Sequence, residues 1–329
     1  MKAFTHANPK SMAQALTVIA DGKKDGRSVT VAGGGSDVLG MMKDRLVAPD
    51  VVVRLKGISG LDQAKPENGG LAIGGQMTLD ALTRHAAIRR QYAVLAEAAE
   101  DVATPQIRNV ATLAGNLCQR PWCWYYRNGF KCFKNGGTTC YSANGENEFH
   151  AIFGGGPSYI VHPSDTAPAL VALDATFTIN GPSGRRTVAA ADFFTLPTVN
   201  AARENVLNDG EILESVWLPA ARPNVRSTYD KIMDREAWTH AVVSAAIALE
   251  LTGGTCRSAR VVLGGVAPIP WRLPAVEKLM IGNRITPELA AQAGEAAVAG
   301  ARPLAKNAYK VPLVRNMVAR TITSLATRA

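Results

Sequence analysis

The sequence predicts an α+β protein of two or three subdomains, and three observations carry that prediction. At 329 residues the chain exceeds the roughly 100 to 200 of a single domain. Its first half alternates short β-rich runs with helical stretches. Beyond about residue 212 strands come first and helices afterwards, the order of a separate α+β unit. With 47% hydrophobic and 19% charged residues, the composition is that of a chain with real cores rather than a disordered one.

Taken in order, Ser28–Ala32 (SVTVA) is β-rich and ends at Gly33-Gly34-Gly35, Val51–Leu55 is a second such run, and the stretch near Val38–Asp44 between them is helical. The three make a β-turn-α-β unit. Leu71–Gly74 reads as a strand, and Thr78–Gln91 carries apolar residues at helical spacing, with Thr78 as its cap and Asp80 in the first turn. A further helix covers Ala93–Asp101, and Pro105 ends it. Tyr159–Val161 and Ala175–Ile179 read as strands flanking the turn His162-Pro163-Ser164-Asp165, and Gly181-Pro182-Ser183-Gly184 marks a hairpin turn. Strands then follow over Ile212–Trp217, Val242–Leu251 and Ser258–Val266, and helices near Leu273–Ile281, Thr286–Ala299 and Lys310–Ala326. A domain boundary is expected near Ala220–Pro223, where the sequence turns Pro- and Arg-rich.

The formal charge of +9 raises the question of nucleic acid, but the basic residues are neither gathered into a tract nor interleaved with aromatics. A basic surface facing an acidic partner or an anionic cofactor fits better. No apolar run is long enough to cross a bilayer, Val242–Leu251 included, so no direct membrane insertion is expected. The start Met1-Lys2-Ala3-Phe4-Thr5-His6 does not read as a signal peptide. No repeat is visible. No Ser-His-Asp or paired-carboxylate arrangement stands out, and His6, His85 and His240 are expected to be structural or surface residues.

Two small-residue turns invite a phosphate. Ala32-Gly33-Gly34-Gly35-Ser36-Asp37 follows a strand and precedes a helix, so its main-chain N–H groups are placed to cradle an anion. It is neither G-x-G-x-x-G nor a Walker loop, and alone it is equally a plain structural turn. A second turn, around Ala114-Gly115-Asn116, is as ambiguous alone. A pyrophosphate has two phosphates to hold, and the pair together is more persuasive.

Four of the five cysteines crowd directly behind that second turn. Cys118, Cys123, Cys132 and Cys140 follow a C-x4-C-x8-C-x7-C pattern, while Cys256 stands alone. A loop this long needs an internal tie. An iron–sulfur cluster, a zinc ion, and disulfides or free thiols are the three alternatives; zinc sites favour short C-x2-4-C pairs, and disulfides favour small secreted domains.

At these residues the chain resembles the FAD-binding medium subunits of the molybdenum hydroxylases, the group of xanthine dehydrogenase, carbon monoxide dehydrogenase and aldehyde oxidoreductase. Their first flavin loop is similar to Ala32–Ser36. Their second is similar to Thr104-Pro105-Gln106-Ile107-Arg108-Asn109 running on through Thr112-Leu113-Ala114-Gly115-Asn116; Ser164-Asp165 matches a later flavin contact, and Lys231 a lysine near the isoalloxazine. The likeness extends to the C-terminal Ala308-Tyr309-Lys310-Val311-Pro312. It implies a two-lobed FAD-binding domain of the vanillyl-alcohol-oxidase type, with a small α/β lobe over residues 1–55, a larger lobe over 56–220 and a C-terminal α+β domain over 221–329. FAD would lie between the lobes, contacted by Ala32, Gly33, Gly34, Gly35, Ser36, Asp37, Thr104, Ile107, Arg108, Asn109, Thr112, Gly115, Asn116, Ser164, Asp165 and Lys231.

Two branches of that group carry an additional 4Fe-4S cluster in the corresponding loop, here at about 117–150: 4-hydroxybenzoyl-CoA reductase and the bacterial aldehyde oxidoreductases. The run Asn116-Leu117-Cys118-Gln119-Arg120-Pro121-Trp122-Cys123-Trp124-Tyr125-Tyr126-Arg127 is similar to the latter. The implied ligands are Cys123, Cys132 and Cys140, completed by Cys118, or by His150, because the reductase branch places its fourth ligand where this chain has Phe149. Arg120, Arg127, Lys131 and Lys134 would raise the cluster's potential or serve solubility. Trp122, Trp124 and Tyr125 would shield the cluster or anchor the loop to a partner.

The activity implied is that of an electron-transfer subunit. FAD accepts electrons relayed from a molybdenum cofactor on a large partner subunit, through 2Fe-2S clusters on a small one, in a heterotrimer or a dimer of trimers. The compartment is cytoplasmic, or periplasmic if a partner carries a twin-arginine signal. The alternatives are a 4-hydroxybenzoyl-CoA-reductase-like β subunit, a self-sufficient flavin oxidase and a zinc-stabilised scaffold without redox activity.

Overall fold

The computed structural model describes residues 1–327. The chain begins with β1 (Thr5–Ala7), α1 (Met12–Lys24), β2 (Val29–Ala32), α2 (Val38–Lys43) and β3 (Val51–Arg54), whose strands form a parallel sheet in the order β1-β3-β2. Alternation along β3 sorts its side chains to two faces. Val51 and Val53 join Ala15 and Ile19 of α1 in one core, whereas Val52 turns to the other face, with Met41 and Met42 of α2. Tyr126 and Cys132 complete that second core, so the cysteine loop closes one face of the first sheet.

The middle of the chain supplies β4 (Ala64–Glu67), β5 (Gly70–Gly74), α3 (Leu79–Arg84), α4 (Ala86–Gln91), α5 (Ala93–Glu100), α6 (Pro105–Arg108), α7 (Leu113–Leu117), α8 (Trp124–Arg127), α9 (Thr166–Ala172), β6 (Thr176–Gly181), β7 (Gly184–Ala189), α10 (Ala190–Phe193) and β8 (Ile212–Leu218). The strands form an antiparallel sheet in the order β4-β5-β8-β6-β7. Its apolar face packs on α5 and α9 in the largest core, around Ile73, Leu95, Leu170, Phe177 and Val216.

The remaining elements are β9 (Val225–Ile232), β10 (Val243–Thr252), β11 (Thr255–Gly264), β12 (Trp271–Arg272), α11 (Pro274–Met280), α12 (Pro287–Ala297) and α13 (Lys310–Thr327). Their sheet, ordered β12-β11-β10-β9, is covered on both faces. Val243, Ala245, Ile247 and Leu249 meet α11–α13, while Ala246, Tyr229 and Val262 meet the middle core. Burial on both faces explains why Val242–Leu251 is apolar at every position but Ser244 and Glu250. No helix among the described residues is long and apolar enough to cross a membrane.

Three expected elements differ. Thr78–Gln91 is two helices, because His85 leaves helical geometry at ψ 116° and caps both. Tyr159–Val161 is not a strand but extended chain tied at its ends, with Tyr159 O accepting from Ala151 N at 2.9 Å and His162 N donating to Ala267 O at 3.0 Å. Pro105 starts α6 at the position where its missing N–H costs nothing.

Candidate functional site

The three sheets meet at a cleft of about 340 Å³. Ser36 and Asp37 of the first glycine turn form one edge. Val102, Ala103, Ile107, Ala111, Gly115, Asn116 and Gln119 form the other, and Trp122, Pro163 and Asp165 complete the wall. Arg235, Trp238, Thr239 and His240, from the loop joining β9 to β10, reach over the opening.

The glycine turns touch each other. A Cβ on Gly34 would lie 1.7 Å from Val110 O, and one on Gly33 2.4 Å from Thr112 Oγ1, so only bare main chain lets the turns approach. Gly35 has φ +80°, the left-handed region that favours glycine. Among the described residues the N–H groups of Gly34, Gly35, Ser36 and Asp37 donate no hydrogen bond within the chain. The second turn is different, contrary to the expectation that each turn would offer its amides. Thr112 caps α7 by accepting from Gly115 N at 3.2 Å, Thr112 O accepts from Asn116 N at 2.8 Å, and Gly75 O accepts from Ala114 N at 2.9 Å. Its amides are spent inside the protein.

The same holds for several other residues expected at the flavin. Thr104 caps α6 through Ile107 N, and Arg108 donates to Val102 O at 2.8 Å. Ala32 is the buried end of β2, and Asn109 is exposed away from the cleft lining. Asn116 Oδ1 accepts from Ser164 Oγ and Thr166 Oγ1, each at 2.6 Å, which holds the second turn to the start of α9. Lys231 does not line the cleft. Its fully buried ammonium donates to Asp165 Oδ2 at 2.9 Å, Asp101 O at 2.8 Å and Thr239 O at 3.3 Å. Asp165 lines the cleft, held also by Tyr229 Oη at 2.7 Å, and burial together with that carboxylate pushes the Tyr229 pKa well up. His240, expected to be structural or surface, lines the cleft; burial lowers its pKa and favours the neutral imidazole.

Asp37 joins this site to the cysteine loop. Its Oδ1 lies 2.7 Å from Arg127 Nη2, and its Oδ2 accepts from Arg120 N at 2.9 Å. Arg127 also lies over the Trp122 ring, 4.2 Å from its centroid. Arg120 and the buried Lys134 both pair with Glu204 at 2.8 Å. Three of the four cations expected to act on a cluster are thus committed to carboxylates, and Lys131 is exposed.

Cys118 stands apart from the other three cysteines. It packs against the middle core, and burial alone pushes its thiol to about 12. Cys123 is raised to about 11 by burial, with smaller repulsion from Cys140 and Cys132, and His150 Nε2 lies 3.4 Å from its Sγ. Among the described residues no three His, Cys, Asp or Glu side chains converge to hold a single metal ion. Tyr125, Phe130 and Tyr141 pack edge-on or stacked at 5.1–5.9 Å and stiffen the loop.

Residues 2–221 match the family described as the FAD binding domain in molybdopterin dehydrogenase, and residues 228–325 match the CO dehydrogenase flavoprotein C-terminal domain. The chain belongs to this flavoprotein family. Among its relatives, the aldehyde oxidoreductase FAD-binding subunit PaoB of Escherichia coli K12 is 33% identical over 100% of both chains. The carbon monoxide dehydrogenase medium chain of Hydrogenophaga pseudoflava is 26% identical over 98% of this chain and 96% of its own. The fold is that of the flavoprotein in CO dehydrogenase from Oligotropha carboxidovorans, with a TM-score of 0.78 at 23% identity over 99% of each chain. For a family that binds FAD, the cleft has the required features. Ser36 and Asp37 line one edge at the end of a run of four amides, 34–37, that donate no hydrogen bond among the described residues, and bare main chain backs that run. Its lining joins the apolar Ile107, Trp122 and Trp238 to the carboxylate of Asp165.

Proposed function

We propose that this chain is the FAD-binding electron-transfer subunit of a molybdenum-dependent aldehyde oxidoreductase, with the substrate oxidised on a large molybdenum-cofactor subunit and electrons relayed through 2Fe-2S clusters on a small one. The observation that carries this is the likeness to PaoB over the full length of both chains, joined to a cleft edged by Ser36 and Asp37, the last two of four consecutive amides without a partner among the described residues. Bound FAD supplies reversible acceptance of electrons; the chain positions it and tunes its surroundings. Gly34, Gly35, Ser36 and Asp37 would donate main-chain N–H groups to the pyrophosphate. Ile107, Gly115 and Asn116 would line the dinucleotide's path. Asp165, fixed by Lys231 and Tyr229, would present a carboxylate to a ring N–H or a ribose hydroxyl. Trp238 and His240 would cover the opening. Residues 1–55, 56–220 and 221–329 are the three units of this reading.

The same proposal gives the cysteine loop an iron–sulfur cluster held by Cys123, Cys132 and Cys140, and takes His150, whose Nε2 lies 3.4 Å from Cys123 Sγ, over Cys118, which packs against the middle core, as the fourth ligand. A cuboidal cluster offers a separate iron to each ligand, so its ligands need not converge on one point as those of zinc do. Native co-purification with quantitation of flavin, iron and molybdenum tests the whole reading. Zinc without iron, together with a colourless protein, would contradict it.

A further inference from the structure

Beside the flavin cleft lies a larger cavity of about 570 Å³, and the two share Trp122, Pro163, Thr239 and His240. Two kinds of side chain line it. Trp122, Trp124 and Phe149 are 48%, 59% and 55% exposed. Glu146, Glu148 and Asp234 add three carboxylates, and no Lys or Arg lines the cavity, although the whole chain carries a net charge of +9. Lys306 pairs with Glu146 at 2.6 Å but stands 4.0 Å from Glu148, and among the described residues Asp234 is held only by the Thr239 hydroxyl, at 2.5 Å. The cavity therefore keeps an excess of negative charge. His150, only 7% exposed, also lines it, and among the described residues its Nδ1 has no hydrogen-bond partner.

We propose that this cavity binds a planar heteroaromatic cation. The Trp122 ring already holds the Arg127 guanidinium, but the Trp124 indole and Phe149 phenyl rings attract cations through the negative charge on their faces, and surplus carboxylates select positive over negative ligands. The volume falls in the range of small-molecule sites, roughly 300–1,000 Å³, and the His150 imidazole offers one buried polar anchor. The shared wall places the ligand next to the flavin cleft, where an external electron acceptor would sit; that assignment of purpose rests on the function proposed above, whereas the binding does not.

Equilibrium dialysis of the purified, oxidised native complex against methylene blue, a planar cation, and resorufin, an anion of similar shape, tests the proposal. The cation should bind one per chain and at least about tenfold more tightly than the anion. The double variant E148Q/D234N should lose about tenfold in methylene blue affinity and W124L a similar factor, with flavin content and thermal midpoint unchanged. Equal binding of the two dyes, or indifference to these variants, would overturn the site. So would binding to the separated chain that disappears in the complex, which would assign the cavity to a partner's side chain. Dialysis reads binding rather than turnover, so loss of the dye with flavin retained sinks this site alone, whereas a flavin-free protein sinks the proposed function.

Discussion

Replacing Gly34 by alanine tests whether the contact between the two glycine turns builds the flavin site. The added Cβ would lie 1.7 Å from Val110 O, 2.5 Å from Val110 C and 3.0 Å from Ala111 Cα, whereas ordinary contact begins at 3.4 Å. All three atoms are main chain, so no side chain can rotate away. Overpacking of this kind costs about 1–3 kcal/mol. If the turns part to relieve it, the four free amides move with the first turn, and the same energy appears as a loss of flavin affinity of roughly 5- to 150-fold. The matched control is Gly40→Ala, in α2, where an added Cβ meets nothing within 4 Å. It should leave the flavin in place and stabilise the helix by up to about 1 kcal/mol. The assay is the ratio of flavin to protein absorbance after extensive dialysis, read beside the thermal midpoint. A G34A protein that kept its flavin and midpoint would refute the reasoning.

Four further outcomes follow from named contacts. C123S and C132S should each remove the cluster's iron, while C118S keeps it, as iron analysis will show; a C118S protein without iron would restore Cys118 as a ligand. R127M removes the ion pair to Asp37 and leaves the Arg120 main-chain N–H as that carboxylate's remaining tie to the cysteine loop, so it should lower flavin occupancy and expose residues 117–150 to protease, and an unchanged digestion pattern would count against the link. K231M leaves the Asp165 carboxylate buried without its cation, a loss of about 3–5 kcal/mol; the double variant K231M/D165N should recover part of it in thermal unfolding. Burial lowers the Lys310 pKa from 10.5 to about 7, so between those values the unfolded chain holds a proton that the folded chain has released. Stability should therefore rise with pH from about 7 towards 10.5, and K310M should flatten that rise. A midpoint with the same pH slope in both proteins would contradict it.

Strands β10 and β11 and the three helices of the C-terminal unit are legible because apolar runs and helical spacing signal them locally, whereas β9 (VRSTYDKI) and the two-residue β12 carry no such run. Helix α1 is as legible, with Ser11 capping Gln14 N and Ala15, Ile19 and Gly22 on its buried face. The break at His85 was not legible, since no proline or glycine marks it. The glycine turns could be found in the sequence, but their unequal parts could not: the approach of Gly34 to Val110 joins residues far apart in the chain. Lys231 could be singled out, while its burial against Asp165 depends on two sheets meeting. The C-terminal loop over the cleft, with Arg235, Trp238 and Thr239, carries no motif of its own. A charged and aromatic turn between two strands was the only available signal.

The most direct measurement is the cofactor content of the complex isolated with its native partners. The account predicts one FAD and one four-iron cluster for each copy of this chain, with molybdenum and two 2Fe-2S clusters on co-purifying subunits. A chain that purifies alone, without flavin colour and without iron, would contradict it.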